Sequence, residues 1–182
     1  HTDNKVKAEL LNKQLKSVFT QEDTSSVPKL MGPSFPPIQE LHIESKGVEK
    51  LLTKLNPSKA SGPDNVPCRI LKELSSELAP ILTAIFHQSL STGELPKEWT
   101  KANVTPVFKK GNKSLAENYR PVSLTCVTCK IFEHIICSHI HTHLERHSIL
   151  TTLQHGFRAL FSCETQLLVT LHDLLTLRDK KV

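Results

Sequence analysis

The stretch VFKKGNKSLAENYRPVSLT, residues Val107–Thr125, decides how the chain reads. Residues 103–109 and 119–125 read as two strands around a loop at Gly111-Asn112, a hairpin whose turn is supplied by the Gly-Asn pair. Pro106 and Pro121 restrict both strands to edge or bulged positions, because proline has no N–H to give to a ladder. Lys109 and Lys110 lie on the first strand and Arg120 at the start of the second. Lysine acts as a point charge, while arginine offers a planar fork that matches two phosphate oxygens. Between Lys97 and Arg120 six cations stand against two carboxylates, so this segment carries +4 of the chain's formal +5. Such a patch favours a phosphate-bearing partner, although basic hairpins also occur as plain solvated turns.

Outward from the hairpin the chain is mostly helical in pattern. Val127 to about Arg146 reads as one helix. A second follows over Cys163–Leu177, with Ser162 as its cap, Glu164 in its first turn and an apolar stripe of Leu167, Leu168, Leu171, Leu174 and Leu175. Towards the N-terminus, Leu78, Ile81, Leu82, Ile85 and Phe86 mark an amphipathic helix in which Pro80 is tolerable within the first turn. Ile70, Leu71 and Leu74 mark another, with Asp64 as N-cap and Pro67 in its first turn. Val48, Leu51, Leu52 and Leu55 predict a short helix that ends before Asn56-Pro57. Leu10, Leu11, Leu15 and Phe19 predict a first helix, followed by a linker, QEDTSSVPKLMGPSFPP, rich in Pro, Ser and Gly. The fold class is helix-rich α+β with one basic hairpin.

Composition narrows the function. At 182 residues the chain is one domain, or one domain plus an extension, and 38% apolar with 23% charged residues suits a folded chain. One Tyr and one Trp exclude a stacking surface built from many aromatics. No apolar run is long enough to span a membrane, and no basic segment with an apolar continuation opens the chain as a secretory signal would. Five cysteines with no such signal point to free thiols in a reducing, intracellular compartment, nuclear or cytoplasmic. His1 at the start and Met31 as the only methionine read as a fragment.

Four ordered segments carry a more specific signal: SKASGPDNVPCRILKEL, GELPKEWTKANVTPVFKKGNK, NYRPVSLTCVTCKIFEHII and LQHGFRALFSCETQLL. This series resembles the front portion of reverse transcriptases of non-LTR retrotransposons, the long-interspersed-element type. The resemblance covers about residues 46–182. It implies helix-rich reverse-transcriptase fingers with a basic β-hairpin and the start of a palm that is truncated. Residues 1–45 then form a helix plus linker upstream of the polymerase domain, and residues 46–182 a partial reverse-transcriptase domain.

By the same resemblance, Lys109 or Lys110 and Arg120 hold the triphosphate of the incoming deoxynucleotide, with Pro121, Val122 and Ser123 anchoring Arg120's strand. Lys101, Lys113 and Arg158 are the candidates for contact with nucleic acid. Gln154, Gly156, Phe157 and Arg158 lead towards the palm; an equally good reading has Gly156 and Phe157 shaping and packing a turn. The implied partners are an RNA template with its DNA primer, a deoxynucleoside triphosphate, and the missing palm and thumb of the same polyprotein. Polymerisation requires paired carboxylates on two metal ions. The family supplies them from an Asp with a following Ala-Phe-Asp pattern and from a Tyr-x-Asp-Asp hairpin, neither of which occurs in these 182 residues. Asp173 and Asp179 fall in the last helical pattern instead. Hence no catalytic residue is assigned, no cofactor is expected on this fragment, and Mg²⁺ is expected only of the complete enzyme. The alternative is a non-catalytic nucleic-acid-binding remnant that uses the same patch.

Other chemistry is weaker. Cys126-x-x-Cys129, Cys137, His139, His141, His143 and His147 offer zinc ligands, but no second CxxC follows and a structural site needs four converging donors. His139, His143 and His147 project into the arc shared by Ile135, Ile136 and Ile140, facing core or nucleic acid. Cys68 and Cys163 have no marker of a nearby base, so both read as small apolar residues. Trp99 is expected to staple a helix end to the hairpin, and Phe108 to join the core.

Overall fold

The computed structural model describes residues 3–19 and 35–180. Residues 20–34, which include most of the expected linker, lie outside the described residues. The elements are α1 (Asn4–Ser17), α2 (Ser45–Thr53), α3 (Cys68–Glu73), α4 (Ser75–Thr92), β1 (Asn103–Phe108), β2 (Tyr119–Leu124), α5 (Val127–Arg146) and α6 (Cys163–Asp179). The fold is therefore α+β, rich in helix, with one two-stranded antiparallel sheet among the described residues. It divides into a first unit, His1–Gly32 with Leu41–Cys137, and a second, Pro33–Glu40 with Ser138–Val182. No helix among the described residues is long and apolar enough to cross a membrane.

The core of the first unit is built by the periodic positions of α2, α3, α4 and α5. Val48, Leu52, Leu71, Leu82, Phe86, Val127, Ile131 and Phe132 are all buried there. Phe86 stacks on Phe132 with centroids 4.9 Å apart, and Trp99 tilts against both at 5.8 and 5.9 Å. Trp99 thus joins the aromatic centre of this unit. It arrives on a short 3-10 turn, Lys97–Thr100, that the sequence pattern did not indicate. Phe108, by contrast, is only half-buried and packs edge-on against Tyr119 at 5.6 Å.

Two expectations about helix starts are corrected. Asp64 does not cap α3: its Oδ1 accepts from Val66 N two residues on, and Pro67 occupies the N-cap position without a side-chain bond. That local bond closes a tight turn and competes with capping. Pro80 lies beyond the first turn, inside α4. It removes the bond that would reach the Ser76 carbonyl, and Pro80 and Ser76 are both exposed. Helix α4 ends as glycine dictates, with Gly93 at φ 71° and its N–H on the Ser89 carbonyl.

The hairpin pairs Asn103 with Leu124, Pro106 with Pro121, Val107 with Arg120 and Phe108 with Tyr119. Lys109 N donates to Asn118 O at 2.8 Å, which makes that pair hydrogen-bonded. Alternation along the ladder then puts Pro106 and Pro121 opposite each other at a non-hydrogen-bonded position, where neither ring costs an inter-strand bond. The connection is longer than a Gly-Asn turn. Gly111 sits at φ 88°, Asn118 Nδ2 donates to Asn112 O at 2.9 Å, and a 3-10 turn at Ala116–Asn118 leads into β2. A Cβ on Gly111 would come within 2.8 Å of that Asn118 amide.

The loop before α3 is clamped from the other side. A Cβ on Gly62 would lie 2.5 Å from Cys126 N and 2.6 Å from both Cys126 Cα and Thr125 C. The S-x-G-P-D segment therefore rests backbone to backbone on the junction of β2 and α5.

In the second unit α6 begins with a capping box: Ser162 Oγ accepts from Thr165 N, and Thr165 Oγ1 accepts from Ser162 N. Its leucine stripe is exposed throughout, Leu167, Leu168, Leu171, Leu174 and Leu175 included. The turn before it is held by Arg158, whose guanidinium donates twice to Glu145 at 2.9 Å and also to the Thr151 and Gln154 carbonyls. Arg158 also lies 4.5 Å over the Phe161 ring, which His155 meets edge-on. Phe157 does not pack this turn. It is 96% exposed at φ 60°, and Leu160 is fully exposed at φ 66°.

Candidate functional site

The pleat of the hairpin sorts its cations. Side chains of directly opposed residues share a face, so Arg120 lies with Val107, and Lys109, two residues beyond Val107, follows on the same side. Diagonal neighbours of this kind are about 7–8 Å apart at their backbones, within reach of two long side chains. Lys109 and Arg120 are exposed, and among the described residues neither has a carboxylate within ion-pair distance. Thr105, Val122 and Leu124 complete this face.

The opposite face looks onto α1 across an open cavity. Val104, Pro106, Pro121 and Ser123 line a cavity of about 610 Å³ together with Leu11 and Leu15. Lys113 stands on that side, its ammonium 5.5 Å over the Phe108 ring and its carbonyl accepting from the Tyr119 hydroxyl. Lys110 lies beyond β1, in the bend that leads into Gly111. Lys101 is paired with Glu98 at 2.7 Å on the 3-10 turn. Arg158 belongs to the second unit, where its side chain is only 10% exposed and its donors are taken up by Glu145 and two carbonyls. That bond holds the Glu145 carboxyl below, and the Arg158 guanidinium above, their ordinary ranges. Of the residues singled out in the sequence, the fold therefore brings together Lys109 and Arg120.

Leu124 also lines a groove of about 540 Å³ with Leu51, Leu55, Val127 and Ile131 as apolar walls. Lys59, Lys130 and His134 stand among its lining residues, and no carboxylate does. Lys59 and Lys130 escaped the sequence reading because 71 positions separate them, and only the packing of the loop after α2 against α5 makes them neighbours of one groove.

Metal and thiol chemistry find no support in the geometry. Among the described residues no group of three or more His, Cys, Asp or Glu side chains is placed to hold a metal ion. Asp64 is engaged in its own turn, Asp179 accepts from Arg178, and both Asp173 and Asp179 lie on α6. Among the described residues these aspartates do not form the paired carboxylates that Mg²⁺ requires. His139 donates from Nε2 to the Gln39 carbonyl at 2.7 Å, and the His143 and His147 rings lie 4.6 Å apart. Cys126 and Cys129 are buried, with their thiols facing the Glu98 and Trp99 carbonyls. Burial raises both thiols, and with the Glu133 carboxylate pushes Cys129 up to about 11, which keeps them protonated and poor nucleophiles.

No protein-family model matches the chain. Over 135 residues it is 31% identical to the RNA-directed DNA polymerase from mobile element jockey of Drosophila funebris, an alignment that takes in 74% of this chain and 15% of that protein. The chain is similar to a stretch of mobile-element RNA-directed DNA polymerases. The jockey polymerase of Drosophila melanogaster is 31% identical over 112 residues, 61% of this chain and 12% of that protein. The probable RNA-directed DNA polymerase from transposon BS of the same species is 29% identical over 147 residues, 80% of this chain and 16% of that one. The chain thus matches about one seventh of the length of these curated relatives, and the resemblance drawn from its motifs is to the same class of protein.

Proposed function

We propose that this chain is part of the fingers of a non-LTR retrotransposon reverse transcriptase, and that its hairpin grips the triphosphate of an incoming deoxynucleotide. The observation that carries the reading is the shared, carboxylate-free face of Lys109 and Arg120. Arg120 supplies the planar fork for two phosphate oxygens and Lys109 the point charge beside it, while the Gly111–Asn118 connection holds the strand ends in register. Lys110, in the bend beyond β1, and Lys113, over the Phe108 ring, add long-range attraction rather than contact. Polymerisation needs carboxylates that these residues do not provide, so the chain alone binds nucleotide without extending a primer.

The test is binding of dTTP to the full chain by isothermal titration. A charge-assisted hydrogen bond is worth about 1.5–3 kcal/mol, so Arg120→Ala weakens binding roughly 10- to 150-fold. Lys113→Ala changes it little. Unchanged affinity in Arg120→Ala refutes the assignment. The second reading, a nucleic-acid-binding remnant, is favoured by the unpaired cations of the same face and predicts a steep fall of oligonucleotide affinity with salt.

A further inference from the structure

We propose that α6 pairs with α6 of a second copy of this chain, antiparallel and about a two-fold axis through Leu171. Successive residues of a helix are turned by about 100°, which places Leu167, Leu168, Leu174 and Leu175 within about 60° of Leu171. All five leucines are between 46% and 66% exposed. Glu164 and Arg178, each seven residues from Leu171, fall on the same line at the two ends of the stripe, about 21 Å apart. The partly buried residues of α6, Thr165, Gln166 and Thr176, lie on the opposite side, where the Thr165 hydroxyl meets His155 Nδ1 at 2.8 Å. The helix therefore rests on its own unit through polar residues and turns its leucines outward. A contiguous apolar stripe of this kind marks an interaction surface.

The order of residues along the stripe names its occupant. Read from Leu171 in either direction, it meets leucine at three and at four positions and a charge at seven, negative one way and positive the other. Turned about the axis, a second copy sets Leu167 against Leu175, Leu168 against Leu174 and Leu171 against itself, with Glu164 against Arg178 at both ends. A parallel pair would set like charges against each other at each end. Arg178 meets only the neighbouring Asp179, at 2.9 Å and with both side chains exposed, so turning to the partner breaks no buried bond. A lipid surface is opposed, because α6 carries Glu164, Asp173 and Asp179 against a single arginine.

The experiment follows the full chain by sedimentation equilibrium across micromolar concentrations. The parent rises from the mass of one chain to that of two. Leu171→Glu sets two carboxylates face to face on the axis and keeps the chain single throughout. Glu164→Lys and Arg178→Glu each turn both end pairs into like charges and weaken pairing roughly tenfold at low salt. Mixed in equal amounts, these two variants restore opposite charges at both ends and recover the parent's affinity. In high salt the charge variants come to match the parent, which still pairs because salt screens charges and not leucines. Glu164 and Arg178 are exposed, so these variants decide the matter should Leu171→Glu lose helical circular dichroism. A parent of single-chain mass at every concentration overturns the proposal and leaves the stripe to a partner of another kind, such as a further segment of a polymerase. Pairing that persists in Leu171→Glu overturns it as well, by moving the interface elsewhere. A mixture that pairs no more tightly than either charge variant alone overturns the antiparallel register, and the proposal with it.

Discussion

The contact at Gly62 allows the packing of the first unit to be tested without touching its core. An alanine Cβ there would lie 2.5 Å from Cys126 N and 2.6 Å from two further backbone atoms, against an ordinary contact of 3.4 Å or more. The S-x-G-P-D loop and the β2–α5 junction must then separate by about 0.9 Å, and neither side can yield by turning a side chain. Overpacking costs about 1–3 kcal/mol, and three backbone contacts at once place this case near the upper figure. With a urea dependence of about 2 kcal/mol per molar, the unfolding midpoint falls by about 1.5 M. Trp99 is the only tryptophan and packs on Phe86 and Phe132 in the same unit, so its fluorescence reports the transition directly. Gly47→Ala is the matching control: it lies within α2 with nothing inside 4 Å, and removing a helical glycine stabilises by about 0.4–1 kcal/mol. A Gly62→Ala midpoint within about 0.3 M of the parent refutes the account of that loop as a backbone clamp.

Two further outcomes are expected. Cys137 and Cys163 are exposed while Cys68, Cys126 and Cys129 are buried, so a thiol reagent at pH 8 modifies two cysteines quickly and three only after denaturation; mass spectrometry finding Cys129 labelled in the fast phase contradicts the burial that raises it to about 11. The Glu145 carboxyl is held low by Arg158, so its contribution is complete above the ordinary carboxylate value of about 4.3 and is lost as pH falls from there through the lowered folded value. Hydrogen-exchange protection of residues 151–158 therefore drops in acid in the parent but shows no such step in Glu145→Gln, and identical acid profiles refute the link.

What was legible in the sequence is what local chemistry decides. The helix from Val127 to Arg146 and the Ser162 cap of α6 stand where spacing and capping residues put them. Both strands fall within a residue of their expected ends, because Pro106, Pro121 and the Gly111-Asn112 pair act through neighbouring residues. What depended on distant partners was not legible. Asp64 had two local uses, and the tight turn at Val66 won over the cap. Trp99 sits in the core because α4 and α5 bring Phe86 and Phe132 to it. Between Lys109 and Lys110 the sequence made no choice, and only the bond from Lys109 N to Asn118 O continues the ladder to one of them. Of the two readings open for Phe157, packing the turn is the one that fails, because Arg158 and Phe161 already fill it.

The facing prolines of the hairpin have a consequence for how the protein behaves in company. At a non-hydrogen-bonded position the backbone N–H of each strand points away from its partner, towards the open margin of the ribbon. Pro106 and Pro121 occupy that position on both strands at once, so each margin lacks a donor at its midpoint and presents a ring in its place. A third strand approaching from either side meets an interrupted row of partners, which is how natural sheets discourage fibrillar stacking. The ribbon that carries the densest positive charge in this chain is thereby kept at two strands, with its cationic face left open to ligands rather than to copies of itself.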